Sequence, residues 1–247
     1  MAVFHRRQHL GKDYFMEHVL DVKKLVNELT LEEKASLCSG ADFWHTKAID
    51  RLNIPAAMVS DGPHGIRKQE SLADHMGVAE SIKAIGFPTA SAMACSFDRD
   101  LLHKVGDALG EECVAEDLAV LLGPGINMKR SPICGRNFEY YSEDPVVAGE
   151  LGAAFVNGVQ EHGVGTSLKH FAANNQEWRR MSISAEIDER TLREIYLAAF
   201  EQAVKRARPA TVMAGYNYLN GVPACENKEL LTDILRDRWG YEGLVMS

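Results

Sequence analysis

Short apolar runs and longer stretches of helical spacing alternate along this chain from about residue 30 onward. The runs are Ala56–Ser60, Phe87–Ser96, Leu118–Gly123, Val164–Leu168, Ala210–Ala214 and Gly243–Ser247. Their length and continuity predict buried strands, with a tight loop as the alternative for Phe87–Ser96. Helix signals fall between them. Thr30-Leu31-Glu32-Glu33 is a capping box that starts a short helix reaching about Cys38. Asp98 caps a helix that turns Leu101, Leu102, Val105, Ala108 and Leu109 inward, and Asp144-Pro145 reads as N-cap and first residue of another. Asp188 caps a long amphipathic helix, and a last one over Asn227–Trp239 stops at Gly240. Ser182–Ile187 alternates and predicts a small hairpin arm. Strand–helix alternation implies parallel strands with crossover helices. The fold class is therefore α/β, an incomplete (β/α)8 TIM-like barrel with about six β/α units where a closed barrel has eight.

Composition narrows the class. The 247 residues are 46% apolar, enough for a real core, with residues 1–29 read as an N-terminal extension and 30–247 as the barrel domain. Net charge is -8, from 27 basic and 35 acidic residues that interleave, so no nucleic-acid partner is expected. Five scattered cysteines (Cys38, Cys95, Cys113, Cys134, Cys225) form no metal-site spacing and fit reduced thiols. The first twenty residues lack the apolar core of a signal peptide and no stretch approaches a membrane span, so a cytoplasmic protein without a membrane partner, metal or cofactor is expected.

The chemistry concentrates where the predicted strands end. Ser167–Met181 places Lys169 and His170 directly after an apolar run and follows them with Asn174, Asn175, Gln176, Glu177, Arg179 and Arg180. A strand that opens into a donor-rich loop is how the functional rim of a parallel barrel is built, and such donors suit a ligand with many hydroxyls. In a continuing strand Lys169 and His170 face opposite sides, so both reach one ligand only if the backbone turns there. Asp61, just past Ala56–Ser60, is either a turn former or an acceptor for hydroxyls. The loop after Leu118–Gly123 runs some twenty residues and carries Arg130, Arg136, Glu139, Glu143 and Asp144. Loops that long in compact domains commonly carry function. His64 reads as a turn histidine, Trp178 as core or interface packing, and Trp44 as either packing or the wall of an entrance.

The segments SDGPHG, GRNFEYYSEDP, SLKHFAANNQE and MAGYNYLNGVPACENKELLTDILRDRWGYEGLVMS resemble glycoside hydrolase family 3, in particular its β-glucosidase branch, from about Thr30 to Ser247. The resemblance implies a retaining exo-acting β-glucosidase that removes terminal β-D-glucosyl residues and takes β-glucosides or glucose as ligands. It assigns Asp61 as acceptor and Arg136, Lys169, His170 and Arg180 as donors to the sugar. Met213 becomes part of the pocket wall, and Tyr216 a support for the nucleophile. The run KHFAANNQE departs from the Gly-rich loop of the family's N-acetylhexosaminidase branch. The nucleophile Asp of the family motif is expected immediately after Ser247, and the acid/base Glu in a further domain, so no catalytic carboxylate is assigned within these residues. On that reading the chain is truncated, binds the glycone and is inactive alone. The alternatives are a carbohydrate-binding pseudoenzyme and one half of a split glycosidase. An open sheet edge would favour self-association or a complementing C-terminal chain. A Schiff-base role for Lys169, as in barrel aldolases, needs a desolvated neutral amine.

Overall fold

A computed structural model describes residues 21–69 and 80–247. Helices α1 (Val22–Glu28) and α2 (Leu31–Leu37) come first, and Thr30 and Glu33 close the capping box reciprocally at the start of α2. Most of the 1–29 extension, residues 1–20, lies outside the described residues.

Five strands form one all-parallel sheet: β1 (Val59–Asp61), β2 (Val120–Leu122), β3 (Gly165–Phe171), β5 (Thr211–Ala214) and β8 (Leu244–Met246), in spatial order β1-β2-β3-β5-β8. Each neighbour along the sheet is the next barrel strand in sequence, so the sheet curls progressively as a barrel wall does. The described residues thus hold five barrel strands, not six. The discrepancy is Phe87–Ser96, which contains a one-turn helix, α3 (Ala90–Ala94), rather than a strand. Thr89 caps it by accepting from the Ala92 N–H. Its buried residues Ala90, Met93 and Ala94 stand at i, i+3 and i+4, the spacing of a helix face.

Three helices cover the outer face of the sheet: α4 (Arg99–Ala115), α5 (Pro145–Glu161) and α6 (Ala198–Ala207). Asp98 and Asp144 cap the first two as their sequences predict, Asp144 accepting from the N–H groups of Val146 and Val147. The inward stripe of α4 is Leu102, Gly106, Leu109, Gly110 and Cys113, and Leu101 is exposed, contrary to expectation. Glycines explain the rotation. A Cβ on Gly106 would stand 2.3 Å from the Phe155 carbonyl oxygen, and one on Gly158 would stand 2.2 Å from that of His103. The backbones of α4 and α5 therefore touch through a seam that a count of apolar side chains does not see.

Asp188 caps the segment that leads into α6, through a wide turn at Leu192–Tyr196. Ser182–Ile187 does not fold back on itself. Its short strand β4 (Ser184–Ala185) joins β6 (Tyr218–Leu219), which makes the hairpin with β7 (Val222–Pro223). Helix α7 (Glu229–Arg238) ends before Gly240, whose φ of 70° only glycine adopts cheaply. No described helix is long and apolar enough to cross a membrane.

Candidate active site

The site forms where β1, β2, β3 and β5 run out at their C-terminal ends. In β3, Thr166 bonds to Gln160 of α5 and Leu168 packs in the helix-side core, so Ser167 and Lys169 face the other, concave side. Strict alternation would then send His170 toward the helices. The ladder with β5 slips instead: Lys169 pairs Met213, yet Phe171 pairs Ala214, leaving His170 as the extra residue of a bulge. Phe171 resumes the helix-side face, edge-on to Phe200 and Trp239 at 5.2 and 5.7 Å. The bulge is the backbone turn that Lys169 and His170 need to serve one ligand. Register also sets Met213 beside Lys169, packed with Met246 and Trp44 against the inner apolar cluster of Val59, Val120 and Leu122.

Ion pairs join the remaining residues. Lys169 Nζ lies 3.0 Å from Asp61 Oδ1 and 3.9 Å from Glu139 Oε2. Arg136 Nε donates to Glu139 Oε1 and lies 4.0 Å from Glu177 Oε1. Arg180 donates to Glu177 Oε2 at 2.8 Å, and its guanidinium stands 5.6 Å from the centre of the Tyr216 ring. One continuous path, Asp61–Lys169–Glu139–Arg136–Glu177–Arg180–Tyr216, therefore connects the C-terminal sides of all four strands. All seven residues singled out from the sequence fall in this cup: Asp61, Arg136, Lys169, His170, Arg180 and Tyr216 on the path or against it, and Met213 in its wall. Lys169, clasped between two carboxylates, is built as an ion-pair donor and not as a Schiff-base amine.

Two supports escape the sequence reading. Asn127 clamps the backbone of His170 from both sides, accepting its N–H at 2.7 Å and donating to its carbonyl at 2.8 Å. Tyr140, wholly buried, places its hydroxyl 3.1 Å from His170 Nδ1. Burial pushes the Tyr140 phenol well above its ordinary range. Burial first, and then the cations Lys169, Arg136 and Arg180, hold His170 well below the usual imidazole value, so its ring is neutral. His64 is also lowered by burial, and its Nε2 accepts the Ala90 N–H at 2.9 Å, consistent with a turn histidine. A buried amide and a buried phenol within a polar loop were the available signals, but only their contacts give them a role.

The other candidates sort by exposure. Trp178 is 71% exposed, with the Arg179 guanidinium 5.3 Å from its ring, so it is not core packing. Trp44 is half-buried and donates to Gln69 at 3.0 Å. Cys134 is partly buried, and all five cysteines are free thiols. Among the described residues no group of three or more His, Cys, Asp or Glu side chains could hold a metal ion.

The profile of the glycosyl hydrolase family 3 N-terminal domain matches residues 24–247. The chain is 58% identical over 228 residues to the thermostable β-glucosidase B of Acetivibrio thermocellus, covering 92% of this chain and 30% of that protein. It is 54% identical over 223 residues to an exo-α-(1→6)-L-arabinopyranosidase of Bifidobacterium breve, covering 90% and 30%. The β-glucosidase 3B of Thermotoga neapolitana, solved with α-D-glucose, superposes with a TM-score of 0.86 at 43% identity over 92% of this chain and 34% of that one. The chain spans about 30% of the length of these curated relatives. A barrel wall whose strand ends carry this polar cup, matched over nearly its whole length, places the chain in glycoside hydrolase family 3, where it corresponds to the N-terminal domain.

Proposed function

We propose that this chain is the glycone-binding part of a retaining exo-acting β-glucosidase. The observation that carries the reading is the single chain of contacts at the strand ends, ion pairs from Asp61 to Arg180 and a cation–π contact from Arg180 to Tyr216, with anions and cations alternating along it. A pyranose offers hydroxyls that both donate and accept, so an alternating rim satisfies it without leaving a charge unpaired. Asp61 accepts from the sugar, while Arg136, Lys169, His170 and Arg180 donate to it. Met213 walls the pocket, and Tyr216 sits beneath the reacting carbon. The similarity to a β-glucosidase solved with α-D-glucose supports glucose as the glycone.

Retention requires two carboxyl groups about 5–5.5 Å apart, one attacking the anomeric carbon and one passing a proton to the leaving group and back. Each carboxylate of the cup is engaged by a cation: Asp61 by Lys169, Glu139 by Arg136 and Lys169, and Glu177 by Arg180. We assign them to binding, and the catalytic pair to sequence outside these 247 residues. The chain alone is then expected to hydrolyse aryl β-glucosides no faster than buffer, and turnover that follows the purified protein through chromatography would refute that. A second glycone is favoured by the arabinopyranosidase relative, so displacement of bound glucose by L-arabinose decides the sugar class. Free thiols support a cytoplasmic location, which fractionation of the native host checks. The strand β8, paired on one side by β5 and carrying the half-exposed Leu244, supports association with a second chain, read by sedimentation.

A further inference from the structure

We propose that Tyr140 is a positioning residue that fixes His170 as the Nε2–H tautomer, aiming its one ring N–H into the cup. The proposal deepens the glycone-binding reading and rests on it for the identity of the ligand, but its first test does not.

The argument is one of proton accounting. Tyr140 is 0% exposed and its hydroxyl lies 3.1 Å from His170 Nδ1, the phenol's one hydrogen-bond partner among the described residues. A buried phenol must give its proton to an acceptor or lose a hydrogen bond in a dry environment. Nδ1 is the acceptor within reach, and it accepts only through a free lone pair. A neutral imidazole with Nδ1 unprotonated carries its proton on Nε2. The groups around the ring oppose a second proton: Lys169 and Arg136 belong to the ion-pair path, Arg180 closes its far end, and none of them donates to the ring itself. Nε2 has no protein partner among the described residues. The neighbouring backbone is held too, because Asn127 grips both the N–H and the carbonyl of His170. The ring, its tautomer and its backbone are therefore all set before a ligand arrives. A neutral N–H aimed at a sugar hydroxyl keeps its direction as a donor over the whole range in which the ring stays neutral. The edge-on ring contact at 6.1 Å between Tyr140 and His170 keeps the phenol in this geometry.

Long-range proton–nitrogen correlation spectra of the 247-residue chain, labelled with 15N-histidine, read the tautomer directly. The expected result is a His170 signal of the Nε2–H form that does not change between about pH 6 and 8. An Nδ1–H form in the unchanged chain overturns the proposal, whatever the chain binds. Tyr140→Phe removes the proton donor and little else. In that variant the Nδ1–H form should become populated, and affinity for D-glucose should weaken about tenfold, the worth of one well-made hydrogen bond. A variant that keeps the pure Nε2–H form and full affinity also overturns it. If the unchanged chain shows the Nε2–H form but no glucose binding, the glycosidase reading fails and the tautomer assignment stands.

Discussion

Two sets of ion pairs in this molecule look alike on a list of distances and differ in where they sit. On the outer helices, Glu150 of α5 receives Arg99 at 3.0 Å and Arg206 at 2.7 Å, and both arginine side chains are more than half exposed. In the cup, Lys169 and Glu139 are 4% and 7% exposed. Surface pairs are worth about 0–1 kcal/mol because water and side-chain entropy offset the attraction. Buried pairs cost several kcal/mol of desolvation per ion and seldom repay it in stability beyond what an apolar core would give. A chain with a sound apolar core behind the same strands gains little by burying Lys169 and Glu139 at their ends. The difference supports the proposal that the cup is organised for a ligand.

The comparison breaks most visibly at Lys169. Lys169→Met keeps the length of the side chain but leaves the buried Glu139 short of a cation. Urea unfolding should show a loss above about 1 kcal/mol but short of the roughly 3–5 kcal/mol of a wholly unpaired buried charge, because Arg136 still donates to Glu139. A loss below about 1 kcal/mol would put the cup in the same class as the surface pairs.

Acid should act on the same region next. His170 titrates below its ordinary value of 6.5 in the folded chain, chiefly through burial and then through its cationic neighbours. As pH falls, the unfolded chain takes up that proton first. The associated stability is complete above about 6.5 and declines below it, by at most about 1.4 kcal/mol per pH unit for this ring. Urea midpoints compared at about pH 7.5 and 5.5 measure it, and a midpoint that rises on acidification would contradict the sign.

The smallest effect is expected outside. Glu150→Ala should change stability by less than about 1 kcal/mol, despite breaking two short pairs, and leave glucose affinity untouched. A larger loss would mean that the helical layer, and not the cup, depends on its charges.

How much of this was legible in advance follows from the range of the interactions. Thr30, Asp98, Asp144 and Asp188 announce helix starts because a cap bonds to backbone two or three residues away. Phe87–Ser96 reads as a strand because its residues are small and mostly apolar, and one helical turn is too short for a period to show. Leu101 reads as buried because the close seam of α4 and α5 is made by Gly106 and Gly158, which carry no hydrophobic signal. The cup residues were legible by type and place at strand ends, and by resemblance. Their partners were not. Glu139 meets Lys169 across thirty positions, and Tyr140 meets His170 across the same interval. The β2–β3 register, together with the one-residue slip of the β3–β5 ladder at His170, brings those pairs together.

Calorimetric titration of D-glucose into the 247-residue chain, run beside Lys169→Met, tests the central claim most directly. A cup set in place by its own ion pairs predicts saturable binding at one site in the unchanged chain and none in the variant. No heat and no thermal shift in the unchanged chain, or equal binding by both, would contradict it.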